Sequence, residues 1–232
     1  MISVVVGLYN EEEVLPLFIK SFFENIDLKE KFELLLVNDG SKDKTEELIK
    51  KAAKKHKEIK VISYTPNKGL GNALRTGFKN AKGRIIVTMD SDLAHPSKYI
   101  SKLISRVDKG NDLVIGSRYS KGGGIDNVPY QRDLLSRLTN IATKIAVLSK
   151  IKDMTCGFRA YRSDKLKKIR SKERGFEVEL ELLVKFIKMK AKISEVPFRS
   201  IDRPAGKSKF RVLKDGPDYI KSLCKIMIYR WL

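Results

Sequence analysis

The chain has 232 residues, 42% of them hydrophobic, and 48 Lys and Arg against 28 Asp and Glu, for a formal net charge of +20. That length builds one sizeable core, and the charge calls for an anionic partner: nucleic acid, a phosphorylated substrate or lipid headgroups. Two cysteines, Cys156 and Cys224, exclude a disulfide framework or a metal knuckle and fit a reducing compartment, and no run reaches the roughly 18–20 apolar residues that span a bilayer.

Taken in chain order, short apolar runs alternate with helical patterns. The first run, Ile2–Leu8, has no basic region before it and reads as a strand rather than a leader. Further strands are expected over 33–38, 60–64, 84–89 and 112–116, with helices over 11–25, 43–55, 70–79 and 97–109 between them. Strand-helix repetition of this regularity predicts an α/β fold with a mostly parallel sheet flanked by helices. After Gly116 the rhythm changes. The run Gly122-Gly123-Gly124 followed by Asp126-Asn127-Val128-Pro129 reads as a flexible loop, either a lid beside a site or a plain surface connection. A helix over 131–148, a turn over 153–157, a helix over 177–190, a strand over 193–199 and a basic loop over 202–211 follow. The last segment carries Ile220, Leu223, Cys224, Met227, Ile228 and Trp231 on one helical stripe, with Lys221, Lys225 and Arg230 off it, an amphipathic basic helix that either docks on the core or lies at a membrane interface. The chain divides into one domain over 1–212 and this helix over 213–232.

Polar residues collect at the predicted strand ends. Asp90-Ser91-Asp92 ends the fourth strand, and two carboxylates one residue apart at the mouth of an open sheet suit a divalent cation bridging to substrate phosphates. Asp39, in Val37-Asn38-Asp39-Gly40-Ser41, ends the second strand where an acid can accept hydrogen bonds from a ribose or a base edge. Gly7-Leu8-Tyr9-Asn10-Glu11 ends the first strand, so its polar groups emerge on the same rim. Asn67-Lys68-Gly69-Leu70-Gly71 is a glycine-rich helix start suited to close packing or to an anion, and neither a Walker loop nor GxGxxG occurs.

Together with Gly116-Ser117-Arg118-Tyr119, Asp153-Met154-Thr155-Cys156-Gly157-Phe158-Arg159-Ala160-Tyr161 and Asp202-Arg203-Pro204-Ala205-Gly206-Lys207-Ser208-Lys209, these motifs resemble, in order and spacing, the inverting family-2 glycosyltransferases with the GT-A fold. The later segments are similar to the polyprenyl-phosphate branch, typified by the dolichyl-phosphate mannose synthases. The resemblance covers essentially the whole chain and implies a single Rossmann-like GT-A domain. It implies transfer of a hexose, mannose from GDP-mannose foremost and otherwise from UDP-glucose or a UDP-N-acetylhexosamine, to a polyprenyl (dolichyl) phosphate, with inversion. Carried over residue by residue, it puts Asp90, Asp92 and Arg118 at the reaction and gives Asp90 and Asp92 a Mg or Mn ion. Leu8, Tyr9, Asn10, Glu11, Val37, Asp39, Lys68, Asp90 and Ser91 fall to the nucleotide diphosphate sugar. Arg118, Arg132, Ser136, Arg203 and Lys209 fall to the acceptor phosphate, with Ser136 one helical turn after Arg132. An acceptor phosphate is ionised near neutral pH, so it needs cations to hold it in line rather than a strong base. One departure stands out: Ala94 replaces a Gln that can ligate the metal in many members, which leaves that position to water.

The resemblance also implies a peripheral place on the cytoplasmic face of a membrane, with a membrane-anchoring partner or a membrane segment beyond Leu232, and a cytoplasmic place without them. Processive polysaccharide synthases carry QxxRW, whereas Tyr229-Arg230-Trp231 lacks the Gln. A nucleic-acid-binding α/β module would also explain the charge, but the basic residues are scattered among Glu and Asp rather than interleaved with stacking aromatics, so nucleic acid is not an expected partner.

Overall fold

A computed structural model describes residues 1–126, 130–201, 220, 221 and 224. Nine strands and seven helices lie within them: β1 (Ile2–Leu8), α1 (Leu15–Asn25), β2 (Phe32–Asp39), α2 (Thr45–Lys55), β3 (Ile59–Tyr64), α3 (Leu70–Asn80), β4 (Ile85–Thr88), α4 (Ile100–Asp108), β5 (Leu113–Ser117), β6 (Gly124–Asp126), α5 (Tyr130–Val147), β7 (Arg159–Arg162), α6 (Ser163–Leu166), α7 (Val178–Lys188), β8 (Ile193–Pro197) and β9 (Arg199–Ile201). A 3-10 turn over Ser97–Tyr99 leads into α4.

Seven strands form one sheet in the order β3-β2-β1-β4-β7-β5-β8, all parallel except β7. Strands covered by helices on both faces must be apolar on both, and Val4 to Val6, Leu34 to Val37, Ile85 to Val87 and Leu113 to Ile115 are each at most 1% exposed. The chain runs outward from β1 to β2 and β3, then returns to the other side of β1 as β4. That reversal is the topological switch point, and an open α/β sheet binds ligands outside the carboxyl ends of the strands there. Tyr9 to Glu11 follow β1 and Asp90 follows β4, so the switch point is where the sequence motifs meet.

Four differences from the sequence expectations have physical causes. The first helix begins at Leu15 rather than at residue 11, because Pro16 lacks an amide donor and is accommodated in the first helical turn. The segment 122–129 is not wholly loop: β6 pairs in parallel with β9, and 127–129 lie outside the described residues. The expected strand over 193–199 breaks at Phe198, whose two flanks join different sheets. Finally, β7 was not anticipated. It is four residues long, antiparallel and wedged between β4 and β5, with Thr88 and Ile115 both opposite Arg159. Among the described residues of the terminal segment, Ile220, Lys221 and Cys224 are helical and exposed. Leu223, Lys225, Met227, Ile228, Arg230 and Trp231, and with them the division at residue 212, lie outside the described residues.

Candidate active site at the sheet switch point

The rim begins with two laced loops. Asn10 takes a left-handed conformation at φ 52°, its amide donates to Ser41 Oγ at 3.0 Å, and its side-chain oxygen accepts from the Lys42 amide at 2.8 Å. The Glu11 amide donates to Thr45 Oγ1 at 2.8 Å. The Asn10 side chain and the main chain of Asn10 and Glu11, residues that the sequence assigned to nucleotide contact, are thus holding the β1–α1 and β2–α2 loops together. Leu8 and Val37 point into the core, at 1% and 0% exposure, so any contact they make with a ligand runs through the main chain. Tyr9 is half-buried and Lys68 is exposed, its ammonium 5.5 Å from the centre of the Tyr64 ring.

Asp39 is 2% exposed. Its carboxylate accepts from Asn67 Nδ2, the Lys68 amide and the Gly69 amide, each at 2.8 Å, and so organises the glycine-rich loop. Burial pushes its carboxyl above the usual range despite those donors. The open choice for that loop resolves as close packing. A Cβ on Gly71 would stand 2.1 Å from the carbonyl oxygen of Glu173, and the Gly71 amide donates to the Arg174 carbonyl at 2.7 Å.

Asp90 and Asp92 emerge from β4 with the expected spacing. The Asp90 side chain is 52% exposed, Asp92 is half-buried with Oδ1 accepting from the Ala94 amide at 3.0 Å, and Ser91 is buried between them. His95 is a brace rather than a ligand. Its Nδ1 accepts from the Asp90 amide at 3.0 Å, which puts the proton of a neutral ring on Nε2, facing Cys156 Sγ at 3.9 Å. The ring also stacks on Phe158, with centroids 5.2 Å apart. Burial pushes the Cys156 thiol well up, so it stays protonated and inert. Among the described residues no three His, Cys, Asp or Glu side chains gather as a metal set. Two accessible carboxylates still fit a hard divalent ion of the kind that takes one or two protein oxygens and completes its shell with water and substrate phosphates.

Arg118 lies just beyond β5. Its Nε and Nη2 pair with the two carboxylate oxygens of Asp153 at 2.8 Å each, and Nη2 also donates to Thr155 Oγ1 at 3.0 Å. Burial works against the guanidinium charge, and the fully buried Asp153 overcomes it, so the pKa of Arg118 is raised. The Arg118 guanidinium also lies 5.2 Å from the Tyr119 ring, whose hydroxyl meets Ser136 Oγ on α5 at 2.9 Å. Ser136 therefore reaches the Arg118 cluster as expected. The Arg132 side chain, Arg203 and Lys209 lie outside the described residues.

The loop 153–157 ties both halves of the site together. Asp153 and Thr155 hold Arg118, Cys156 backs His95, and the Gly157 carbonyl accepts from Thr88 Oγ1 at 2.7 Å. The loop is fixed from behind by Arg159, fully buried, which donates to the main-chain carbonyls of Cys156, Glu179 and Met154 at 2.7, 2.6 and 3.0 Å. Asn140 accepts from the Met154 amide at 2.7 Å, and Glu195 accepts from the Lys152 and Asp153 amides at 3.0 Å each. Because only β7 separates β4 from β5, the acidic pair and Arg118 leave the sheet about 10 Å apart, two strand spacings. Sequence reasoning named Asp153, Thr155 and Arg159 within a motif without giving them roles, and missed Asn140, Glu195 and Glu179. The one visible signal was a charged residue inside the strand-like run Phe158-Arg159-Ala160-Tyr161.

A model of the family described as Glycosyl transferase family 2 matches residues 3–170. The chain is 36% identical over 231 residues to a dolichol-phosphate mannosyltransferase of Pyrococcus furiosus, covering 97% of this chain and 63% of that protein. It thus spans less than two thirds of that relative's length. It is 34% identical over 213 residues to a polyprenol monophosphomannose synthase of Mycolicibacterium smegmatis, covering 89% of this chain and 79% of that one. In three dimensions it superposes with a TM-score of 0.74 and 21% identity on glucosyl-3-phosphoglycerate synthase of Mycobacterium tuberculosis in complex with Mn2+, UDP and phosphoglyceric acid, covering 98% of this chain and 78% of that one. A complex of the same enzyme with Mg2+ and UDP gives 0.73 and 22%, covering 98% and 79%. The fold is therefore of the GT-A type, and the chain belongs to glycosyl transferase family 2.

Proposed function

We propose that the chain transfers a hexose from a nucleotide diphosphate sugar, GDP-mannose foremost, to the phosphate of a polyprenol, with inversion at the anomeric carbon. The observation that carries this reading is the 153–157 loop, which couples an accessible carboxylate pair to a guanidinium locked in a bidentate ion pair. The names of the archaeal and mycobacterial relatives support the same donor and acceptor classes.

Asp90 and Asp92 would hold Mg or Mn, which when bound offsets the charge building on the departing nucleoside diphosphate. Tyr9, Asn10, Glu11, Lys68 and Ser91, with the main chain at Leu8 and Val37, line the nucleotide side, and Asp39 acts through the loop it organises. Opposite them, Asp153 consumes Nε and Nη2 of Arg118 and leaves Nη1 to take a phosphate oxygen. A bidentate pair of this kind fixes the fork in one orientation, so little entropy is lost when the phosphate arrives. Ser136, Arg132, Arg203 and Lys209 complete the acceptor side of the proposal. The phosphate attacks as an anion, and the mechanism asks no side chain for a proton transfer.

The acceptor's lipid tail asks for a membrane surface, and α5 supplies a matching face. Leu134, Leu138, Ile141 and Ile145, spaced four, three and four residues apart, are 42%, 55%, 52% and 66% exposed, and Leu148, just past the helix end, is 68% exposed. Exposed Arg137 and Lys144 lie among them, and an apolar stripe flanked by cations suits an anionic bilayer. Among the described residues no helix is long and apolar enough to cross one. The test is a panel of radiolabelled sugar nucleotides offered with a polyprenyl phosphate, with and without a chelator, followed by organic extraction. Metal-dependent counts in the organic phase from GDP-mannose are expected. Counts from UDP-glucose alone would change the donor, and no counts from any sugar would overturn the reading.

A further inference from the structure

A groove of about 490 Å³ runs along the flank of α1, and nothing above employs it. One wall spans Leu17 to Asn25, about 12 Å of helix, and the opposite wall comes from the segment 93–98. Phe18, Phe22 and Met89 line it as buried residues, while Leu17 and Ile201 stand at its edge, each 46% exposed. Leu93 lines it too, in a left-handed conformation at φ 68° that a leucine adopts only at a cost in strain.

The polar side chains around this groove are already engaged within the protein. Ser97 Oγ donates to the Phe22 carbonyl at 3.2 Å, Asn25 Nδ2 donates to the Ser21 carbonyl at 2.8 Å, and His95 Nδ1 is taken by the Asp90 amide. Lys20 faces Glu24 at 4.0 Å, and the Lys98 ammonium lies 5.6 Å from the centre of the Tyr99 ring. With those groups satisfied, the groove offers its occupant apolar contact rather than new hydrogen bonds, and a hydrocarbon chain gains most from that.

Its position says which hydrocarbon. Leu93 directly follows Asp92 of the acidic pair, and Ile201 comes two positions before Arg203, which is assigned to the acceptor phosphate. Helix α1 starts just past Tyr9 to Glu11 at the rim and returns along the sheet, so the groove leads away from the reaction centre. We propose that it takes the isoprene units nearest the acceptor phosphate, a subsite that selects the acceptor by its tail. This rests on the polyprenyl-phosphate reading and gives the start of the tail a place. The α5 stripe then meets the bilayer that holds the distant units.

Calorimetry on the full chain in solution tests it, with dimethylallyl phosphate, one isoprene unit, compared with farnesyl phosphate, three units. The unsubstituted chain should bind farnesyl phosphate at least about tenfold more tightly, as burial of a few methylenes requires. Two variants leave the phosphate side alone: Ser21→Trp, which fills the groove from the α1 wall, and the neutral pair Leu17→Gln with Ile201→Gln at its edge. Each should cut the preference below about threefold, keep dimethylallyl phosphate within about twofold and melt at the unsubstituted temperature. A preference that persists in both folded variants puts the tail elsewhere and overturns the inference, as does the lack of any preference in the unsubstituted chain. Lower melting temperatures in both would show that protein already covers the groove, and this too overturns it. Should one variant fail to fold, the other decides. If the unsubstituted chain binds neither phosphate and transfers no sugar to a polyprenyl phosphate, the polyprenyl-phosphate reading itself fails, which separates the two.

Discussion

Arg159 is a charge with no exposed surface, in the middle of the sheet, and each of its three nitrogens donates to a main-chain carbonyl. Replacing it with an apolar residue would leave those carbonyls buried without donors and Glu179 without a counter-charge. Arg159→Leu is expected to lower unfolding stability by about 3–5 kcal/mol, read as a fall in urea midpoint. A change below about 1 kcal/mol would mean that the loop holds itself. Glu181 gives a pH signature at the same scale. Burial raises its carboxyl, but the Lys185 ion pair and the Glu173 and Lys172 amides outweigh burial and hold it below 4.5. Its contribution is therefore fully present above 4.5 and disappears as pH falls through the lowered folded value. Glu181→Gln should destabilise by about 1 kcal/mol at pH 7 and match the unsubstituted chain in strong acid, as pH-dependent melts would show. Residue chemistry was legible where it sat on a turn signal. Asp90, Asp92 and Asp39 follow apolar runs and stand out, but the supporting acids Asp153, Glu179 and Glu195 look like any others in a chain with 28 of them.

Among the elements, β1, β2, β4 and β5 announced themselves through apolar runs, which burial on both faces requires, while β3 at the sheet edge showed only as a shorter mixed run. β7 did not. A four-residue strand with an arginine in it carries too few residues to establish a period, and its identity comes from pairing with β4 and β5 seventy and forty-odd positions away. That omission hid the arrangement that brings Arg118 toward the acidic pair. α5 was anticipated as a helix, yet its pattern does not say which way the apolar face looks, since a stripe meant for a core and one meant for lipid have the same spacing. Exposure decides. The double change Leu138→Glu with Ile141→Glu is expected to leave the melting temperature unchanged and to cut flotation with anionic liposomes by at least about tenfold. Unfolding of this variant would show instead that the stripe is packed against protein.

At the scale of the molecule, the excess of basic residues fits the proposed work among phosphates, with a nucleotide diphosphate on one side and a lipid phosphate on the other. The GT-A sheet supplies the separation: β4 delivers the acids, β5 delivers Arg118, and the loop entering β7 holds both in register. The most direct measurement of this division of labour is the Michaelis constant for each substrate in Arg118→Ala, with the sugar nucleotide and the polyprenyl phosphate varied in turn. The account predicts at least about a tenfold rise for the polyprenyl phosphate with the sugar nucleotide changed by no more than about twofold. Equal rises for both, or a rise confined to the sugar nucleotide, would contradict it.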